Sequence, residues 1–376
     1  MRRVIGAVAL ALGVLLLVVG AVSRSYLYER LATVSLDQSN VVDAKDPSKS
    51  TASVSQGENM SALRVWGSET DGQHYDKLTG VTLRSTRQIV GIPGALTPAE
   101  LDGNVAIWQT GVTSEAVGVG ALTYSNEVVT FDRVTGLATG SSRDQRSAGE
   151  LDKPDKMVDV VHKGLFFKFP FAVEKKTYPW WDGDLSDAAE MKFVREENLF
   201  GTDTYVFQQV TPTAERSTRD VPAGVFDQPG SAMVPAKVFY GNVRTLWIEP
   251  NTGVIIKGQE QVDKYLQSQF GTVATTKGTI GYTDDTVRKN AETWGSKGRL
   301  LGFIHGPLLW IGLVGGLLLI VLGAVLIGRR PAPVAAGAPS GPSRSRRGTR
   351  SEGDGGIDEL GVGSGAERGR HENAGA

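Results

Sequence analysis

Residues 237–259, with the sequence KVFYGNVRTLWIEPNTGVIIKGQ, contain the pattern that decides the fold. Two runs rich in β-branched and aromatic residues, Lys237 to Ile248 and Val254 to Gln259, flank a short stretch with Pro, Asn, Thr and Gly. Runs of this composition are typical of strands, and the residues between them are typical of a tight turn. The sequence therefore predicts a β-hairpin here.

The turn of this hairpin belongs to a pattern that occurs three times, with irregular spacing that excludes a solenoid or propeller. Each copy has an apolar residue, an acidic residue, two variable positions, Thr-Gly and a return to apolar residues. The acidic side chain can accept hydrogen bonds from loop amides, and glycine supplies the positive φ that other residues resist. We expect three hairpin tips, at Thr79-Gly80, Thr135-Gly136 and Thr252-Gly253.

Most of the chain between residues 25 and 299 has the same strand-like character, and helical periodicity is scarce. Thr283 is a suitable cap for a helix whose first turn contains Asp284 and Asp285, because acids favour the positive end of a helix. We also predict a helix at Ser186–Glu197 and a short helical turn at Pro98–Leu101. The predicted fold class is mainly β (α+β), with a sandwich- or barrel-like domain. The further predicted strands are Val81–Val90, Leu122–Phe131 and Thr204–Thr211.

Two apolar blocks, residues 4–22 and 308–327, contain no charged side chain. Each has about the 20 residues that a helix needs to cross a bilayer. Ala21-Val22-Ser23 is an acceptable signal-peptide cleavage site, but the first block exceeds a signal-peptide core, so we expect it to be retained as an anchor. The expected organisation is a transmembrane helix in residues 1–24, an extracytoplasmic β-rich domain in 25–299, a second transmembrane helix in 300–328 and a disordered tail in 329–376.

The charged residues indicate a topology, although the net charge of the chain is only −1. Arg2, Arg3 and Arg24 flank the first block, and further arginines follow the second block before the first acid of the tail, Glu352. Basic residues mark the cytoplasmic ends of membrane spans. We therefore predict a two-helix plasma-membrane protein with both termini in the cytoplasm. Residues 25–299 are net acidic, so we expect no nucleic-acid partner.

Glycine recurs on one face of each block, at Gly6, Gly13 and Gly20 in the first and Gly312, Gly316 and Gly323 in the second. Small residues let helix backbones approach closely in lipid. Two interpretations follow. Either the two helices pack against each other, or the glycine faces join a second copy into a homo-oligomer.

Several chemistries find little support in the sequence. The chain has no Cys, which excludes disulfides, thiol catalysis and iron-sulfur clusters, and its absence from an exported domain of this size indicates a bacterium. Residues 25–299 contain only His74 and His162, and no nucleophile or phosphate-binding motif. Asp182–Asp187 lacks the glycine and distal Glu of a calcium loop, so we interpret it as an Asp-rich helix cap. We expect no enzyme, cofactor or metal, although a pair of catalytic carboxylates would be visible only in three dimensions.

Three segments carry a resemblance to a known family: GLFFKFPF at 164–171, EKKTYPWWD at 174–182 and LWIEPNTG at 246–253. In these segments and in its layout, residues 1 to about 328 of the chain resemble the actinobacterial PorA-like family of two-pass cell-envelope proteins. That family takes its name from a corynebacterial cell-wall porin. The resemblance implies an envelope location and brings no established catalytic or binding residue.

The first two of these segments also concentrate aromatic rings beside lysines. Aromatic faces with adjacent cations suit glycans or acidic lipid headgroups. The alternative is that Phe167, Phe169 and Phe171 alternate on one strand face and fill the core. The candidate ligand-binding residues are Phe166, Lys168, Lys175, Lys176, Tyr178, Trp180 and Trp181.

These observations leave three functional hypotheses besides the enzyme. The main one is that the exported domain, held at the bilayer by both helices, binds or passes an envelope lipid or lipid-linked glycan without covalent catalysis. It requires an apolar cavity of several hundred Å³ lined partly by residues 166–181. A structural or scaffolding envelope protein would have the same sequence. A pore-forming, porin-like protein is less favoured, because the strands lack the lipid-facing apolar bands of a membrane barrel.

Overall fold

One large antiparallel sheet dominates the computed structural model, which describes residues 1–68, 72–147, 156–230 and 232–328. The predicted disordered tail, 329–376, lies outside these residues. The strands are β1 (Ser39–Asn40), β2 (Ser53–Ser68), β3 (Gly72–Gly91), β4 (Val105–Ala116), β5 (Gly120–Asp132), β6 (Gln145–Ser147), β7 (Met157–Asp159), β8 (Tyr178–Asp182), β9 (Asp187–Leu199), β10 (Thr202–Pro222), β11 (Met233–Ile248), β12 (Ile255–Ser268) and β13 (Gly271–Tyr282). They are ordered β7-β6-β5-β4-β3-β2-β13-β12-β11-β10-β9-β8, and β1 pairs with β3. The mainly β prediction is confirmed, and the sheet curves into a half-barrel.

Helices occupy both ends of the described chain, and one short helix lies between β3 and β4. They are α1 (Arg2–Val22), α2 (Glu29–Leu31), α3 (Pro98–Asp102), α4 (Asp284–His305), α5 (Pro307–Trp310) and α6 (Gly316–Gly328). A π-helical segment, Ser23–Tyr28, joins α1 to α2, and Ile311–Gly315 joins α5 to α6 in the same way. The helical stretches Arg2–Leu31 and Asp284–Gly328 are both long and apolar enough to cross a membrane. The predicted start of α4 is confirmed, since Thr283 accepts a hydrogen bond from the Thr286 amide.

The glycine faces of α1 and α6 pack against each other. A Cβ atom added at Gly6 would lie 2.9 Å from the carbonyl oxygen of Gly323, and one added at Gly13 would lie 2.7 Å from that of Gly316. Such spacing requires glycine, because any larger side chain would push the backbones apart. The first of the two interpretations of these faces is thus the one seen within a single chain. The homo-oligomer stays a prediction.

Two of the three predicted hairpin tips are confirmed. Asp132 accepts hydrogen bonds from the amides of Val134 and Thr135 at 3.0 and 2.6 Å, and Gly136 has φ +75°. The tip at Glu249–Gly253 repeats this geometry: Glu249 accepts from the Thr252 amide at 2.7 Å, and Gly253 has φ +73°.

The third predicted tip is wrong. Thr79 and Gly80 lie inside β3, where the pairing with β2 shifts between Met60–Val81 and Ala62–Leu78. Gly80 still has φ +69°, but it serves a bulge rather than a turn. The acid of this copy, Asp76, accepts from Trp66 Nε1 at 2.7 Å instead of from loop amides.

The helix predicted at Ser186–Glu197 is also wrong, because this stretch forms most of strand β9 between β8 and β10. Asp182 therefore does not cap a helix. Its Oδ1 accepts from the amides of Asp184 and Leu185 in the turn between β8 and β9. The short helix predicted at Pro98–Leu101 is confirmed as α3.

Two irregular segments, one between β5 and β6 and one between β7 and β8, connect the two halves of the curved sheet. Single bridges join Phe131 of β5 to Ala138, Leu137 to Leu165, and Leu165 to Trp180 of β8. Phe169 packs in a core with Tyr178, Trp180 and Phe207, whereas Phe166 and Phe167 pack in a second core with Trp108 and Phe131. Phe167 and Phe169 do fill the core, but from an irregular segment that serves two cores and not from one face of a strand.

Candidate functional site

Two adjoining cavities lie inside the half-barrel and at its helical end. The first, which we call the helix-side cavity, has a volume of about 400 Å³ and lies between α4 and the sheet. The second, the inner cavity, has a volume of about 310 Å³ and lies between the facing halves of the sheet. Arg87, Ile255 and Tyr282 belong to the walls of both cavities. The two therefore adjoin at these residues.

Helix α4 is held firmly against the sheet and forms one wall of the helix-side cavity. Thr202 donates a hydrogen bond to the carbonyl of Ala291 at 3.0 Å. A Cβ added at Gly298 would lie 2.2 Å from the Glu249 carboxylate, so the helix and the Glu249 hairpin are in direct contact. This docking presents Trp294 to the cavity.

The chain that follows α2 forms the opposite wall. The amide of Val34 donates to the carbonyl of Arg133 at 3.0 Å, and Arg133 Nε returns a bond to the carbonyl of Val34 at 2.7 Å. Trp108, a cavity residue, donates from Nε1 to the carbonyl of Ser35. The two helical ends of the chain thus meet at the same cavity.

Residues 164–171, which we call the floor segment, form the floor of the helix-side cavity. The floor segment is held between the hairpin tips at Gly136 and Gly253. The amide of Phe169 donates to the carbonyl of Gly253 at 2.8 Å. On the other side, a Cβ added at Gly136 would lie 2.9 Å from the carbonyl oxygen of Lys168. Glycine is needed at both tips because the floor segment approaches their backbones so closely.

Lys168 is the most unusual side chain of this floor. It is only 5% exposed, and its ammonium nitrogen makes no hydrogen bond within the described part of the chain. The nitrogen lies 3.2 Å from the ring centroid of Phe171, which also lines the cavity. Burial lowers the pKa of Lys168 well below its ordinary value, and the nearby charges of Asp132 and Glu249 oppose this shift only in part.

Arg244 and Glu260, two residues of the inner cavity wall, belong to a hydrogen-bonded network. Arg244 donates to Glu260 at 2.9 Å and to the side-chain oxygen of Gln209 at 2.8 Å. Burial works to raise the pKa of Glu260, but the charge and hydrogen bond of Arg244 hold it below its ordinary value. Nearby, Tyr240 donates to Asp182 at 2.8 Å, and burial of the phenol together with the Asp182 charge raises the pKa of Tyr240.

A buried histidine, His162, lies in the segment between β7 and β8, beside strand β5. The side chain of His162 is fully buried, with Nδ1 3.0 Å from Asp144 and Nε2 2.9 Å from Glu127, a residue of the inner cavity wall. Burial works to lower the pKa of His162, but the hydrogen bonds and charges of the two carboxylates together raise it. Asp144 also accepts from the Thr130 amide at 2.8 Å, which fixes the carboxylate to the sheet.

The structure separates the seven predicted ligand-binding residues into four groups. Lys168 lines the helix-side cavity, and Phe166, Trp180 and Trp181 line the inner cavity. Tyr178 is buried in the core. Lys175 and Lys176 lie on the outer surface, where they pair with Glu196 and Glu174.

Sequence reasoning missed most of the cavity walls. Arg87 and Tyr282 come from strands β3 and β13, and Trp294 and Lys297 come from helix α4. The helix α4 did contain a signal, because Val287, Ala291 and Trp294 recur at helical spacing and therefore share one face. Arg87 stands in a strand with no local pattern to distinguish it from the other arginines.

The chain combines a curved β-domain with two helices that are each long and apolar enough to cross a membrane, an arrangement that fits a membrane protein. The family model described as Porin PorA matches residues 5–325, so the chain belongs to the Porin PorA family. A relative named Porin PorA from Corynebacterium amycolatum is 28% identical over 169 residues, and the match covers 36% of this chain and 44% of the relative. The chain thus spans less than half of that relative's length. The resemblance found in the sequence is confirmed.

Family membership changes the order of the functional hypotheses. It favours the pore-forming alternative that the strand pattern had disfavoured, and it gives no support to lipid binding. The objection that the strands lack lipid-facing apolar bands applies only if these strands themselves cross the bilayer. The two apolar helices offer another way to reach it.

Proposed function

We propose that this protein forms a passage through the cell envelope and that the interior of its half-barrel is part of the route. The observation that carries the proposal is the adjoining pair of cavities, which share Arg87, Ile255 and Tyr282. Together they extend from the helical end of the domain into the space between the two halves of the sheet. Side chains from widely separated elements of the chain line both cavities.

We further propose that α1 and α6 are membrane anchors and that the part of the passage crossing the bilayer forms between copies of the chain. The glycine faces of α1 and α6 approach closely at Gly13 and Gly316 and leave no lumen between these two helices. Two packed helices alone therefore cannot enclose a water-filled channel. Several copies arranged in a ring could supply one, in keeping with the predicted homo-oligomer.

Conductance of the purified full-length chain in planar bilayers tests the passage. Gly258 lies in the inner cavity wall, where an added Cβ would only touch Leu246 and Tyr282 at 3.4 and 3.6 Å. We expect discrete conductance steps that Gly258→Leu reduces by narrowing the junction. Gly94→Leu is the matched control, because an added Cβ at Gly94 meets nothing within 4 Å.

The proposal fails if the pure protein conducts no current at any concentration. It also fails if Gly258→Leu and Gly94→Leu conduct equally while both remain folded. The mass of the complex in detergent, measured in parallel, tests the homo-oligomer. A strictly monomeric chain that conducts would refute the passage between copies.

A second candidate function, the binding or passage of an envelope lipid, is favoured by one specific observation. The helix-side cavity has the size of a small-molecule pocket, ~300–1,000 Å³, and lies where both helical ends meet the domain. Leu31, Leu301 and Ile304 form its apolar rim on that side. An amphiphile leaving the bilayer along α4 would reach this cavity first. Neither candidate function involves covalent catalysis. Either one could be combined with a scaffolding role in the envelope.

The topology that these proposals assume has both termini in the cytoplasm and residues 25–299 outside. Protease added to intact protoplasts is expected to digest the β-domain and to spare a tag fused after Ala376. Loss of that tag under the same conditions would reverse the orientation. A cytosolic marker protein that stays intact controls for lysis.

A further inference from the structure

The charges that line the helix-side cavity are all of one sign. Arg87, Lys168 and Lys297 contribute to its wall, and none of the described residues that line it is Asp or Glu. The inner cavity, by contrast, contains Glu127 and Glu260 beside its arginines. A cavity lined by cations with no carboxylate favours an anionic guest.

Lys168 is the buried cation of this cavity, and its ammonium donors are unused within the described residues. Its nitrogen is withdrawn from solvent, lies over the Phe171 ring and has no hydrogen-bond acceptor in the described chain. A buried ammonium without an acceptor is unfavourable, so an acceptor brought by a ligand would gain more here than at the surface. Lys297 differs, since it lies on the exposed side of α4, 4.4 Å from the Trp294 ring centroid.

Asp132 and Glu249, the two carboxylates whose charges act on Lys168, do not accept a hydrogen bond from it. Asp132 is engaged by the amides of its own hairpin and Glu249 by those of the other. They oppose the loss of the lysine proton by their charge. They therefore help Lys168 to remain a donor without using its hydrogen bonds.

The rest of the wall is mainly apolar, with neutral polar side chains such as Gln38, Asn40 and Asn290 among it, and the cavity is small. Trp108, Phe167, Trp294 and Leu301 surround the space. About 400 Å³ is near the lower end of the range for ligand pockets, ~300–1,000 Å³, which fits one alkyl chain rather than two.

We propose that the helix-side cavity binds a single-chain amphiphile with an anionic oxygen head, a long-chain carboxylate, whose head accepts a hydrogen bond from Lys168. The alkyl chain lies along Trp294 and Leu301. This inference rests on the second function proposed above, the handling of an envelope amphiphile, and names its ligand class. It does not depend on the conduction of solutes.

Binding to the full-length chain in nanodiscs tests the proposal. The probes are bromine-labelled hexadecanoic acid and the equally labelled hexadecanol, whose bromine quenches the fluorescence of Trp108 and Trp294. The wild-type chain is expected to bind the acid at least about tenfold more tightly than the alcohol, the contribution of one charge-assisted hydrogen bond. Lys168→Met is expected to abolish this preference and to keep the affinity for the alcohol. Lys176→Met, at a surface lysine paired with Glu174, is the matched control.

Each outcome separates the inference from the function on which it rests. Equal binding of acid and alcohol by the wild type would keep the amphiphile function and overturn the role of Lys168. Binding of neither probe would remove both. If Lys168→Met does not fold, Lys297→Met and Arg87→Met test the same point. Loss of the preference for the acid in either variant would show that the carboxylate head binds that residue and not Lys168.

A phosphate head shares the chemistry of the carboxylate and is distinguished in the same assay. Hexadecyl phosphate has the same chain with a larger, more highly charged head. We expect it to bind more weakly than the acid, because Lys168 is buried and offers one donor in a closed space. Tighter binding of the phosphate would overturn the assignment of a carboxylate.

Discussion

Arg244 in the inner cavity and Lys168 in the helix-side cavity are both largely withdrawn from solvent, yet the protein treats them differently. Arg244 is held by Glu260 and by the side chain of Gln209. The Lys168 ammonium lies over the Phe171 ring and has no hydrogen-bond acceptor among the residues that the structure describes. One cation completes a network, and the other ends over an aromatic ring in the wall of a cavity.

The difference indicates which part of the interior stabilises the fold and which part has a donor available for a ligand. A satisfied network fixes the neighbouring strands β10, β11 and β12 to one another, because the donors of Arg244 have found acceptors. An unsatisfied donor is retained at a cost to stability, which a ligand can offset. Stability and binding should therefore separate cleanly when the two cavities are altered.

The largest effect is expected where the framework of the helix-side cavity is broken, at Gly253. A Cβ there would lie 2.1 Å from the carbonyl oxygen of Phe169, and the residue has φ +73°. Gly253→Ala should reduce the free energy of unfolding by about 3 kcal/mol or more, since clash and strain add. Gly201→Ala is the matched control, because Gly201 has φ +79° but nothing lies within 4 Å of its added Cβ.

At Gly201 only the backbone strain applies, about 1–2 kcal/mol. Thermal and denaturant unfolding of the β-domain in the detergent-solubilised chain measures both variants. Equal losses at the two positions would mean that the floor segment is not tightly held against the hairpin tip.

Removal of the two cations sharpens the comparison directly. Arg244→Met should destabilise by about 2 kcal/mol, because Glu260 loses its partner inside a partly open cavity. Lys168→Met should change stability by less than about 1 kcal/mol, since it replaces an unpartnered buried cation by an apolar side chain of similar length. Denaturant unfolding of both variants measures the difference. A larger loss at Lys168 than at Arg244 would show that Lys168 is a structural clamp.

Much of the fold was legible in the sequence where the determinants are local. The hairpin tips at Asp132 and Glu249 form because an acid, a Thr and a Gly interact within one turn. Asp76 failed to make the third tip because Trp66, on the neighbouring strand, supplies its donor. The helix predicted from Ser186 onward contains good helix formers such as Ala and Glu, but pairing with β8 and β10 on both sides overrides that propensity.

The candidate site could be predicted only in part from the sequence, because most of its walls are assembled by long-range contacts. The density of aromatic residues and lysines in the floor segment indicated a candidate binding site, and Lys168 was among the predicted ligand-binding residues. Lys175 and Lys176 looked equivalent to it in sequence, yet they pair with acids on the outer surface. Burial, which distinguishes Lys168 from its neighbours, depends on contacts with both hairpin tips and cannot be deduced from spacing.

The smallest expected effect concerns His162, which joins the framework to the wall of the inner cavity. Its two ring nitrogens face Asp144 and Glu127, so both can donate only when the imidazole is protonated. Because its folded pKa is raised, this stabilisation is complete below the ordinary histidine pKa of about 6.5 and is lost as the pH rises through the folded value. The wild-type chain should therefore lose stability between about pH 6.5 and the folded pKa. His162→Gln cannot titrate and should give a flatter profile there. The difference in the denaturant midpoint between the two proteins, measured across this range, cancels the titration of other groups. A constant difference would mean that His162 is neutral throughout and that the two carboxylates share one donor.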